Sequence, residues 1–159
     1  MHRSLALTPF VGALTLGLFL HGGAARADDS PFVGQWHWNA KQSALPPGDE
    51  APAAMESDIS RADTAHMRWS MTVTDKHGKK DVETFDAPAN GEFYPISNGT
   101  TASFRLADGA IDGLFKGPNG EKDALNCTLS ADHNKMTCKG TITEKDGKTF
   151  PYTDVFDRK

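Results

Sequence analysis

Chemistry in this chain would have to come from two cysteines, a few histidines and carboxylates, and one aromatic and sulfur-rich set of side chains. Cys127 and Cys138 stand in a C-x10-C spacing, which matches neither a CxxC redox motif nor a zinc-ligand pair, and no histidine lies at ligand spacing from either. A structural disulfide is the reading that remains. His77 and His133 fall in turn sequences, while His37 and His66 alternate with apolar neighbours and are expected to point outward. A metal centre needs ligands converging from several elements, and nothing in these spacings requires one. No G-x-S-x-G nucleophile motif and no phosphate loop is present. Most carboxylates cluster in turns or in the leader. Asp154 differs, because it shares parity with Tyr152 and Phe156 and would face inward with them. A buried acid needs a partner, so either it meets an arginine or tyrosine inside, or a bulge turns it to water, and the bulge is the preferred reading. Asp154, Tyr152 and Arg105 are the whole polar set from which an enzyme site could be built. The sequence therefore points to no catalytic residue, no metal and no cofactor.

Trp36, Trp38, Met67, Trp69 and Met71 form the aromatic and sulfur-rich set, joined by Phe104 and Tyr152 at strand parity. Such side chains fill cores and also line apolar cavities, and in a barrel the two surfaces are one. These seven are the candidate ligand-lining residues.

The elements that must position them begin after an export signal. Arg3, an apolar run over residues 5–20 and the small-residue site Ala25-Arg26-Ala27 have the three parts of a cleavable signal peptide, with cleavage expected after Ala27. Pro9, Gly12 and Gly17 interrupt the run, which falls short of the about 20 consecutive apolar residues of a bilayer span. No stable membrane insertion is expected, and the location is periplasmic or secreted. The chain carries 17 Lys and Arg against 21 Asp and Glu, and loss of Arg3 and Arg26 leaves the mature balance at −6. An acidic surface argues against nucleic acid as a partner. The mature length suits one domain, read as a flexible leader over 28–31 and a folded unit over 32–159.

Within that unit the dominant period is two. Met67, Trp69, Met71 and Val73 alternate with polar residues, as do Phe104 and Leu106, then Leu125, Cys127 and Leu129, then Met136 and Cys138. Turn sequences such as Asp108-Gly109, Asp132-His133-Asn134 and Asp146-Gly147 separate them at the spacing of an all-β meander. Strands are expected at 32–38, 56–62, 65–74, 80–86, 92–96, 101–107, 110–116, 122–130, 134–142 and 148–156. The stretch 44–54 holds Pro46, Pro47, Gly48 and Pro52 and forms neither helix nor strand throughout; it is a lid over the barrel or a plain surface loop. A hairpin turning about Asp132-His133 sets Cys127 directly opposite Cys138, at a separation a disulfide accepts. Short consecutive turns without a long crossover favour an antiparallel up-and-down β-barrel of about eight to ten strands, a size that can hold a small ligand.

Gly34-x-Trp36 near the mature N-terminus, followed by Asn39-Ala40-Lys41-Gln42-Ser43, Tyr94-Pro95-Ile96, Ser130-Ala131-Asp132 with Lys135-Met136-Thr137, and the aromatic end Val155-Phe156-Asp157-Arg158, resembles small exported bacterial lipocalin-like proteins, a family of largely unassigned function. The resemblance implies a calycin-type barrel with Trp36 plugging one end, Arg158 as the arginine available to stack on it, and an apolar cavity. The function it suggests is binding of a small apolar or amphipathic molecule. The alternative is a protein–protein module, such as an inhibitor of an exported hydrolase or protease, using the leader or the 44–54 loop.

Overall fold

The structure is a computed structural model that describes residues 30–96 and 99–159. The expected signal peptide, its cleavage point and the first leader residues Asp28 and Asp29 lie outside the described residues.

Ten antiparallel strands form one sheet: β1 (Gly34–Trp38), β2 (Ala54–Ala62), β3 (His66–Thr74), β4 (Lys80–Pro88), β5 (Tyr94–Pro95), β6 (Thr101–Ala107), β7 (Ala110–Lys116), β8 (Lys122–Leu129), β9 (Lys135–Thr143) and β10 (Thr149–Arg158). Their order, β4-β3-β2-β1-β10-β9-β8-β7-β6-β5, joins the first and last strands and leaves β4 and β5 as the two edges. This is an up-and-down barrel in which, among the described residues, every neighbouring pair of strands is joined by a hydrogen-bonded ladder except β4 and β5. Across that seam the closure is made by side chains: Phe85 of β4 meets Phe104 of β6 edge to face at 4.8 Å, within an aromatic row that runs from Trp69 to Phe115.

Local sequence explains the elements. Period-two alternation puts Met67, Trp69 and Phe104 in the core, while Arg68 and Arg105 stay in water. The β6–β7 hairpin turns in two residues, Asp108 and Gly109, both at positive φ (52° and 75°), the backbone twist that matches paired right-twisted strands. Its register, Ala107 opposite Ala110, follows from that turn.

Most strand ends fall within two residues of expectation, and three differences have a local cause. β5 is two residues long, because Pro95 has no N–H to give a ladder and Gly91 turns the chain at φ 83° before it. β1 starts at Gly34, since Pro31 and Phe32 sit in a turn closed by the Val33 N–H donating to the Ser30 carbonyl at 2.8 Å. β10 continues to Arg158, so the penultimate residue belongs to the sheet.

Candidate functional site

A cavity of about 380 Å³ lies inside the barrel. Its wall is mostly apolar and comes from both halves of the sheet: Met55 and Ile59 of β2, Met67, Trp69 and Met71 of β3, Phe104 of β6, and Leu125, Met136 and Phe156 from β8 to β10. Gly113 makes room for part of that wall, since a Cβ there would lie 3.0 Å from both Phe104 and Leu125. The volume falls in the range of small-molecule sites, about 300–1,000 Å³.

Four of the seven candidate residues, Met67, Trp69, Met71 and Phe104, stand in this lining. Trp36, Trp38 and Tyr152 do not. Trp36 is fully buried at the barrel's end, where its indole N–H donates to the Phe32 carbonyl at 2.9 Å and the Arg158 guanidinium stacks 4.2 Å from its ring centre. Arg158 is held in turn by the carbonyls of Val33 (2.9 Å), His133 (2.8 Å) and Pro31. The G-x-W spacing has a steric basis here, because a side chain on Gly34 (φ 147°) would occupy the space of that guanidinium.

Trp38 and Tyr152 instead stand behind the cavity's acids. The Trp38 indole N–H donates to Asp154 Oδ1 at 2.7 Å, and the Tyr152 hydroxyl donates to Asp123 Oδ2 at 2.7 Å. Tyr152 on β10 reaches Asp123 on β8 by crossing β9 at Gly140, where any Cβ would land in its ring.

The bulge expected at Asp154 is absent. β9 and β10 pair without a break from Thr149 to Asp157, so Asp154 keeps inward parity opposite Cys138 and faces the cavity. Its hydrogen-bond donor is a tryptophan, neither arginine nor tyrosine. Arg105 is exposed on the outer face against Gly91 and takes no part in the interior.

Two further acids, Asp123 and Glu83, also line the cavity. Both were legible by parity, since Asp123 is one step beyond Leu125 and Cys127, and Glu83 one step before Phe85. Burial pushes the carboxyl of Asp123 above its ordinary range, against the lowering effect of the Tyr152 hydroxyl and the Ala124 N–H. Asp154 is raised by burial and by the nearby charge of Asp123, with the Trp38 N–H opposing. Glu83 is raised by burial and by Asp81. Tyr152, buried beside Asp123, is raised as well and stays protonated. Asp123 Oδ1 is buried without a hydrogen-bond partner.

Cys127 and Cys138 face each other across β8 and β9, with Cα atoms 3.9 Å apart, and are disulfide-bonded. The bridge forms part of the cavity wall. On the outer face His37 pairs with Glu56 at 3.3 Å, His66 pairs with Asp86 at 2.5 Å, and His77 and His133 are exposed. Among the described residues no group of three or more metal-ligating side chains comes together. The Pro-rich stretch after β1 is tied to β10 by the Ala44–Thr153 bridge and contributes none of the described residues lining the cavity.

Solved structures share this architecture. A mutant of the fluorescent protein UnaG matches with a TM-score of 0.55 at 16% identity, over 81% of this chain and 96% of that one. Zebrafish ileal bile acid-binding protein in complex with cholic acid matches at 0.51 and 11% identity, over 82% and 100%. A redesigned β-barrel matches at 0.52 and 12%, over 82% and 93%. The fold these structures share with this chain is an antiparallel up-and-down β-barrel. At these identities the likeness concerns the fold alone. No protein-family model and no curated protein matches the chain.

Proposed function

We propose that this protein is an exported carrier that binds a small apolar or amphipathic molecule inside its barrel and catalyses no reaction. The observation that carries the reading is the cavity of about 380 Å³ walled by methionine and aromatic side chains. A filled interior would have favoured the inhibitor reading, in which loops do the binding. The bile acid-binding neighbour supports the choice, because that protein, with a similar fold, is complexed with cholic acid. Export is supported by the disulfide, which persists in oxidising compartments, together with the signal-like residues 1–27.

Native mass spectrometry of the protein purified from its own host, followed by solvent extraction, tests the binding role. The expected result is an adduct that disappears on extraction and a protein that then takes up an environment-sensitive apolar dye. Met71→Trp, which adds bulk to the cavity wall, is expected to weaken dye uptake at least about ten-fold, or about 1.4 kcal/mol. A protein that never carries an adduct and ignores apolar dyes overturns the proposal.

A further inference from the structure

The cavity's polar wall is one-sided. Its described lining contains three carboxylates, Glu83, Asp123 and Asp154, and no lysine, arginine or histidine. The remaining polar lining residues are Ser57 and Thr100. Two of the acids are fixed from behind by donors that are not themselves in the lining, the Trp38 indole and the Tyr152 hydroxyl, each at 2.7 Å. These two bonds leave one atom unserved: Asp123 Oδ1 is buried and has no hydrogen-bond partner among the described residues. A buried acceptor without a donor costs about 1–3 kcal/mol, more when charged, so a ligand that supplies the donor gains what the protein lacks.

The apolar and acidic parts are also ordered in space. Along β10 the inward residues run Tyr152, Asp154, Phe156, Arg158, from the acids to the apolar wall to the Trp36 plug. Asp123 lies on the acid side of this gradient, opposite Phe115 on β7 and Ile142 on β9. A molecule lying along the cavity would place its apolar body toward Phe156, Met136 and Phe104, and its head among the carboxylates.

We infer, resting on the ligand-binding reading above, that this cavity selects an amphiphile with an amine head, whose N–H groups donate to Asp123 and Asp154, and turns away amphiphiles with a carboxylate head. An ammonium head brings both a positive charge and several donors. A carboxylate brings a like charge and no donor, into a wall whose described residues include no cation. An alcohol supplies one donor without charge and falls between.

Isothermal titration of the intact protein with decylamine, decanol and decanoate, at neutral pH and below micelle-forming concentrations, separates the outcomes. The expected order is amine, then alcohol, then carboxylate, with amine over carboxylate by at least about ten-fold, or about 1.4 kcal/mol. Asp123→Asn and Asp154→Asn should each shrink that ratio, while Asp58→Asn, which removes one acid from the exposed outer face, should leave it unchanged. Circular dichroism confirms that each variant is folded. Decanoate binding as tightly as decylamine overturns the inference and leaves the carrier reading standing. An amine preference that survives both interior substitutions, or falls equally in Asp58→Asn, also overturns it, because the selectivity then comes from the acidic surface. Failure of all three to bind overturns the carrier reading and the inference together.

Discussion

Asp123 shows how one side chain can serve a site at the expense of the fold. Its carboxyl is raised by burial, so the folded state holds a proton more tightly than the unfolded chain does. Stability from this group is therefore complete at low pH and is lost as pH rises from about 4 through the raised value. Asp123→Asn keeps an acceptor for the Tyr152 hydroxyl and removes the charge. Its melting temperature should exceed that of the parent protein at neutral pH and equal it below about pH 4; a lower value at neutral pH would mean that the ionised carboxylate is stabilising. Arg158 makes the opposite contribution. It joins the entry to β1, the β8–β9 turn and the Trp36 ring through three carbonyls and one stack. With charged hydrogen bonds contributing about 1.5–3 kcal/mol, Arg158→Ala is expected to lower unfolding free energy by about 2 kcal/mol in urea. Arg158→Lys should not restore it, because a single ammonium cannot span the carbonyls that a planar fork reaches.

Among the elements, the β8–β9 hairpin and the β4–β6 seam hold the barrel's two most dependent contacts. The Cys127–Cys138 bridge closes a short loop at directly opposed positions. Reduction should lower stability by about 2–3 kcal/mol in the chain-entropy view, read as a shift in urea midpoint with and without reductant. Among the described residues no ladder pairs β4 with β5, and Phe85 and Phe104 pack across that gap. Phe85→Ala is expected to cost about 3–5 kcal/mol and to raise hydrogen exchange first in β4 and β6, since that ring joins the two strands across the seam. Uniform exchange across the sheet would show that the seam is not the weak line.

For the molecule as a whole, interior and surface acids oppose each other in pH. Asp86, beside Arg68 and His66, and Asp132, beside Ser130 and Asn134, are both held down to about 2. Asp157 is lowered by Lys135 and Asn39. These groups favour folding above about pH 4, and that contribution is lost as pH falls toward 2. Glu83, Asp123 and Asp154 favour folding at the low end and lose that contribution as pH rises. Thermal unfolding across pH should therefore peak in the mildly acidic range. Asp123→Asn should move the peak upward in pH, and an unmoved peak would show that the interior acids do not set it.

Sequence alone determined the strands and their faces, because alternation and turn chemistry are local. Parity placed Met67, Trp69 and Met71 on one side, and the turn at Asp132-His133 fixed Cys127 opposite Cys138. The same parity carried Asp123 and Glu83 inward, a step hidden by the general habit of carboxylates to sit in water. Tertiary structure decided the rest, since it depends on which side chains from distant strands meet. Trp38 and Tyr152 share parity with cavity residues, yet neighbours more than 100 and nearly 30 positions away turn them into supports for Asp154 and Asp123. Whether the interior is hollow depends on how volumes from eight strands add up, and no local pattern encodes that sum.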